Sequence, residues 1–141
     1  MCRIRKFLIM GLPGSGKTTL AKELSKKINA IHLNADEVRK SFNDWDFSEN
    51  GRLRQSDRMR SISEVLITEG YNVVADFVCP TEKTRNIFGK AFVIWVNRIN
   101  EGRYKDTNEL FENPSNFDVR IEAGLSLDEE IQIILEKIKD F

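Results

Sequence analysis

The chain has 141 residues, 22 of them basic and 22 acidic, with one histidine and two cysteines. That length suits a single domain over residues 1–141 with one buried core, and 40% apolar with 31% charged residues argues against disorder. Zero formal net charge excludes a polybasic surface for duplex nucleic acid or an anionic membrane, and the lone His32 excludes multi-histidine metal sites. Cys2 and Cys79 are too few for a disulfide scaffold and too far apart for a metal knuckle, which suits a reducing, cytoplasmic setting. Ahead of the first glycine the longest apolar run is Phe7 to Met10, too short for a signal-peptide core or a membrane span.

Taken in chain order, Arg3 to Met10 ends in an apolar run suited to a strand buried on both faces. Gly11 to Gly16 breaks it, and Leu20, Ala21, Leu24 and Ile28 then recur at helical spacing. Ile31 to Leu33 is a short strand, and Asn34 with Glu37 three positions on caps a second helix whose first turn carries Asp36. Asn43 to Gly51 has no period and reads as a loop. Met59, Ile62, Val65 and Leu66 mark a third helix that stops at Gly70. Asn72 to Val78 is a strand, followed by a short helix from near Thr81, and Ala91 to Val96 is another strand. Arg98 to Pro114 is polar and reads as a mobile lid. Val119 to Ile121 is a last short strand, and Ser126 with Glu129 caps a final helix burying Ile131, Ile134, Leu135 and Ile138. The alternation predicts an α/β fold, a three-layer sandwich of P-loop NTPase type with a central parallel sheet between helices.

Gly11-Leu12-Pro13-Gly14-Ser15-Gly16-Lys17-Thr18 matches the Walker A pattern at every fixed position, between an apolar strand and an amphipathic helix. Gly11, Gly14 and Gly16 let backbone N–H groups, including that of Ser15, wrap a phosphate, and the following helix aims its positive end at the same anion. Lys17 then neutralises β/γ oxygens, the Thr18 hydroxyl can ligate Mg2+, and Thr19 completes the phosphate-binding set. ATP is the expected co-substrate. No guanine-recognition signature is present, and the chain is too short to add the oligomerisation elements of an ATPase motor, which favours a compact phosphotransferase.

Beyond the P-loop the residues resemble the adenylylsulfate kinases, which phosphorylate the 3′-hydroxyl of adenosine 5′-phosphosulfate with Mg-ATP. The similarity runs to about Pro114. The family motif DGDxVR is represented by Asn34-Ala35-Asp36-Glu37-Val38-Arg39, its Phe-Ser pair by Phe47-Ser48, and its Phe-Ile-Ser-Pro strand end by Phe77-Val78-Cys79-Pro80. The RDxKGLYK segment corresponds to Arg98 through Lys105, and Tyr-Glu-x-Pro to Phe111-Glu112-Asn113-Pro114. The resemblance implies that Asp36 orients or deprotonates the acceptor hydroxyl, Arg39 binds the substrate's anion and Phe47 stacks on its adenine. It also implies substrate contacts from Phe77, Val78 and Pro80, a place in sulfate assimilation, and subunit pairing that leaves a homodimer open.

Each of these residues has a plainer alternative. Asp36 can complement a helix dipole, Arg39 can form a surface ion pair, and Phe47 can anchor a core. Arg52 and Arg54 compete for the role of substrate arginine, whereas Arg58 and Arg60 read as a solvated helix face. Asp76, where the family has a small residue, stands at a Walker B position for the metal or serves as a strand-end turn residue. Arg98, Arg103 and Lys105 are lid candidates for γ-phosphate charge or simply solvated surface. His32 reads as structural or surface, Cys79 as a small non-nucleophilic loop residue, Trp95 as core and Trp45 as a buttress of the substrate loop. Two other functions remain open: a small kinase on another hydroxyl, a polynucleotide 5′-end or modified nucleoside, and a nucleotide-binding module without turnover.

Overall fold

The computed structural model describes residues 4–99 and 110–140. Cys2, Arg103, Lys105 and most of the expected lid lie outside the described residues.

Strand β1 (Lys6–Met10) is the centre of the molecule. Its apolar run supplies both faces: Phe7 and Ile9 enter one core, Leu8 and Met10 the other. Helix α1 (Lys17–Ile28) packs Leu20, Ala21 and Leu24 on the first face, and the final helix, α5 (Leu127–Ile138), adds Ile131, Ile134 and Ile138. The second face is covered from α2 (Ala35–Phe42), α3 (Glu49–Thr68) and α4 (Glu82–Phe88) by Val38, Met59 and Phe88. The remaining strands are β2 (Ala30–Asn34), β3 (Asn72–Asp76), β4 (Phe92–Asn97) and β5 (Val119–Glu122). Among the described residues the sheet runs β2-β3-β1-β4-β5 with every pairing parallel. This is the expected three-layer sandwich.

The connection from β1 passes over β3 to reach β2, and later the chain crosses to the other side of β1 for β4. Neighbouring connections therefore diverge at the carboxyl ends of β1 and β3, where open α/β sheets hold their ligands. Register places Ile9 beside Asp76 and Asn34 on the other side of Asp76.

The caps read from sequence on α2 and α5 are present, and α4 has one that was not read. Asn34 accepts from the Glu37 N–H, Thr81 and Thr84 form a box on α4, and Ser126 and Glu129 form one on α5. Trp95 is buried, edge-on to Phe117 at 5.5 Å. Two expectations need correction. The loop after α2 is shorter than Asn43 to Gly51, because Ser48 accepts from the Gly51 N–H and starts α3 at Glu49. Val65 does not share the buried face of α3 and is 58% exposed, whereas Met59 is fully buried.

Candidate active site

The P-loop joins β1 to α1 at the divergence point. Gly11 has φ 157°, and a Cβ there would lie 2.5 Å from the Val96 carbonyl oxygen of β4, so only glycine lets the loop leave the sheet this closely. Gly16 caps α1 at φ 93° with no side-chain hydrogen bond, so no capping side chain competes with a ligand at the start of the helix. Lys17 is buried, and its Nζ donates to the Leu12 carbonyl at 2.9 Å. Gly14, Gly16, Lys17, Thr18 and Thr19 line a cavity of about 880 Å3. Gly11 and Ser15 stand behind that wall, both buried.

Arg98 is not among the residues that line the cavity. It braces the P-loop from behind: its guanidinium donates to the Ser15 carbonyl at 3.2 Å and pairs with Glu130 of α5. Glu130 is 1% exposed, and a buried carboxylate draws the nearest cation inward. Burial pushes the Glu130 pKa up, while the adjacent Arg98 pulls it back.

On the far side of the P-loop, Thr18 Oγ1 donates to Asp76 Oδ1 at 3.3 Å. Asp76 is buried and also accepts from Asn34 Nδ2, at 3.3 Å to Oδ1 and 3.1 Å to Oδ2, and from His32 Nε2 at Oδ2. Asn34 Nδ2 reaches Thr18 Oγ1 as well, at 3.3 Å. The amide thus has two jobs, since its Oδ1 caps α2 at 3.0 Å. Sequence reasoning gave Asn34 only the cap and treated His32 as structural or surface. The available signal was the His-x-Asn spacing, which puts both side chains on one side of a strand. A hydroxyl and a carboxylate are the hard oxygen donors that Mg2+ takes while keeping waters and phosphate oxygens. Among the described residues no group of three His, Cys, Asp or Glu side chains could cage a metal by itself. Thr18 and Asp76 therefore fit a metal held jointly with nucleotide.

The other half of the cavity is built by α2 and the Asn43–Ser48 loop. Asp36 lies exposed in the first turn of α2 and lines the cavity, and Gln55 of α3 ties that turn down through the Ala35 carbonyl at 3.0 Å. Phe47 also lines it, with the Arg39 guanidinium 4.3 Å and that of Arg52 5.5 Å from its ring centre. Phe77, Val78 and Pro80 form the wall leading from β3.

The arginines divide in a way the sequence did not disclose. Arg39 is 4% exposed and donates to the carbonyls of Asp44 at 2.9 Å and Asp46 at 3.1 Å, and burial lowers its pKa. Arg52 lines the cavity and donates to the Phe47 carbonyl at 3.0 Å. Arg54 is turned away from the cavity and pairs with Asp44 at 2.8 Å and Asp46 at 3.1 Å. Arg58 is not solvated helix face: it pairs with Asp44 at 2.5 Å and is 16% exposed. Hydrogen bonds from Arg54 and Arg58 hold the Asp44 carboxyl well below the usual carboxylate range. Arg60 does behave as surface, pairing with Asp57 and Glu64.

Gly51 lets this loop close on α3. A Cβ there would lie 2.1 Å from the Asp46 backbone oxygen. Gly51→Ala is therefore expected to cost about 1–3 kcal/mol, as forced overpacking does, and to displace Phe47 from the cavity wall. Urea unfolding together with Trp45 fluorescence reports both effects. An unchanged midpoint and emission would contradict the assignment.

Cys79 lies at the cavity edge but is 1% exposed, and burial pushes its thiol pKa up to about 12. Burial thus favours the thiol over the thiolate at neutral pH. The end of the expected lid docks here too: Glu112 N–H donates to the Pro80 carbonyl at 2.7 Å, and Arg85 binds the carbonyls of Cys79 and Glu112.

Among the described residues no helix is long and apolar enough to cross a membrane. No curated protein matches this chain in sequence. In fold, the chain is similar to the Mycobacterium tuberculosis APS kinase solved with AMPPNP and APS, with a TM-score of 0.84 at 19% identity and 99% of both chains covered. It is likewise similar to a Sinorhizobium meliloti gluconokinase, with a TM-score of 0.74 at 13% identity over 99% of this chain and 94% of that one. A shikimate kinase from Aquifex aeolicus superposes with a TM-score of 0.69 at 16% identity over 96% of each chain. Such identities establish a shared P-loop kinase-like fold. A family model described as an AAA domain matches residues 7–95, well over half of the sequence and the whole span from β1 to Trp95, and the chain belongs to that family.

Proposed function

We propose that this protein is an ATP-dependent kinase that moves the γ-phosphate of ATP to a hydroxyl of a small acceptor. The observation that carries this reading is that the P-loop, the Thr18–Asp76 pair and Asp36 all open onto one cavity, which also has an aromatic wall. Phosphoryl transfer asks the protein mainly for positioning and charge neutralisation. Lys17 exchanges the Leu12 carbonyl for β/γ oxygens, and the first N–H groups of α1 take the same phosphates. Thr18 and Asp76 would hold Mg2+ together with the nucleotide, and the ion would supply further neutralisation of charge. Asp36 receives the proton of the acceptor hydroxyl, and Phe47 offers its ring to a flat acceptor.

The sequence resemblance and the fold likeness to an APS kinase both support adenosine 5′-phosphosulfate as the acceptor. One observation favours a second reading, an acceptor with less negative charge such as a nucleoside. Arg54 and Arg58 are engaged with carboxylate oxygens of Asp44 and Asp46, and Arg39, which lines the cavity, has its Nη1 committed to the carbonyls of the same two residues. Labelled ATP offered to the phosphosulfate, to nucleosides and to 5′-hydroxyl oligonucleotides separates these readings. We expect label on the phosphosulfate, and label on nucleosides alone establishes the second reading. ATP binding with no transfer to any hydroxyl acceptor would overturn the kinase assignment in favour of a nucleotide-binding module.

A further inference from the structure

We infer that His32 is a positioning residue for the metal side of this site: it locks the Asp76 carboxylate so that Oδ1 faces Thr18, and so sets the affinity for the divalent cation that accompanies the nucleotide. The inference rests on the nucleotide-binding reading above but does not depend on which acceptor is used. It begins from the demands of a buried carboxylate. Asp76 is 3% exposed, and a charge removed from water must have each oxygen bonded. Oδ1 receives Thr18 Oγ1 and Asn34 Nδ2, both at 3.3 Å, whereas Oδ2 receives His32 Nε2 and Asn34 Nδ2. Of these donors only His32 binds one oxygen alone and belongs to neither the P-loop nor a helix cap. Because an ionised carboxylate only accepts, Nε2 is the protonated nitrogen toward Asp76.

The strand geometry makes the contact specific. Asn34 stands opposite Asp76 and His32 opposite Val74 in the β2–β3 register, and residues two apart share a face. Asn34 alone spans both oxygens and would let the carboxylate pivot about its amide. His32 removes that freedom by engaging Oδ2 from further down the strand. Packing does not account for a histidine here, since β2 is an edge strand and His32 is 16% exposed. An aliphatic side chain would fill the same space and leave Oδ2 with only the shared Asn34 amide.

The test is binding of Mn2+ in the presence of ADP, followed by electron paramagnetic resonance at one fixed pH. His32→Ala should weaken Mn2+ about tenfold or more, the usual loss when a ligand's orienting partner is removed. Affinity for metal-free ADP should stay unchanged because the P-loop is untouched. His32→Gln, which can place an N–H near the position of Nε2, should recover most of the loss. In an Asp76→Asn background the His32→Ala change should add nothing, since the two act through one contact. Unchanged Mn2+ affinity in His32→Ala, an equal loss of metal-free ADP, or a full effect that persists in the Asp76→Asn background would each overturn the inference. A lower melting temperature in both His32 variants with normal Mn2+ binding would mark His32 as structural and overturn it as well. Failure of the wild-type protein to bind ADP at all would instead overturn the nucleotide reading on which this rests.

Discussion

Replacing Lys17 with alanine lowers kcat for phosphate transfer by about 10²–10³-fold or more, with the fold retained. The magnitude follows from deleting a preorganised positive group at the point where transition-state charge develops. Lys17 is 8% exposed, so few alternative cations can replace it. Its ammonium donates to the Leu12 carbonyl at 2.9 Å, a bond inside the loop and not a strut of the core. Stability should therefore fall little, and single-turnover transfer together with thermal unfolding separates the two effects. A variant with activity within tenfold of wild type would remove Lys17 from the mechanism. The control arm is nucleotide binding, which the first N–H groups of α1 should preserve in part.

Arg98→Ala is expected to give the largest loss of stability, about 3–5 kcal/mol, because it strands a carboxylate inside the α5 side of the core. Glu130 is 1% exposed, and Arg98 supplies its charge partner. The loss should depend on pH. Burial already raises the Glu130 pKa above its ordinary value of 4.5, and removing Arg98 raises it further. Between the unfolded and folded values the native state then holds more protons than the unfolded state, so stability falls as pH rises through that window. Urea unfolding at pH 5 and pH 8 should show the greater destabilisation at pH 8. Arg98→Ala combined with Glu130→Gln should regain much of the loss, since no buried charge remains. Equal destabilisation at both pH values, with no recovery in the double variant, would show that Arg98 acts by packing alone. The same substitution releases the Ser15 carbonyl, so weaker ATP binding should accompany it.

These two residues show why the functional roles divided as they did between sequence and structure. Lys17 was legible because its chemistry is local: eight consecutive positions build a phosphate cradle whatever the rest of the chain does. Arg98 carried an expectation of lid function because it opens a polar stretch. Its actual neighbours, Ser15 and Glu130, lie 83 and 32 positions away. The substrate arginines were ambiguous for a similar reason. Arg52 and Arg54 differ by two positions on α3, which turns one to the cavity and the other to Asp44 and Asp46.

The sequence by itself determined the order of strands and helices, the caps of α2 and α5, the P-loop and the position of Asp36 in a first helical turn. Each of these depends on contacts within a few residues, where periodicity and turn chemistry act directly. It also marked Asp76 as a strand-end acid. Only the tertiary structure decided that β2 lies against β3, and with it that His32 and Asn34 meet Asp76 and Thr18. Strand neighbours in a parallel sheet are joined by long crossovers, so nothing local in the chain records which strands will touch. The same limit applies to charge. A net charge of zero was visible from composition, but its partition was not: Arg54 and Arg58 are spent on the loop at residues 44–46, while Lys17, Arg39 and Arg52 line the cavity. Burial and pairing set that partition, and both are properties of the packed chain.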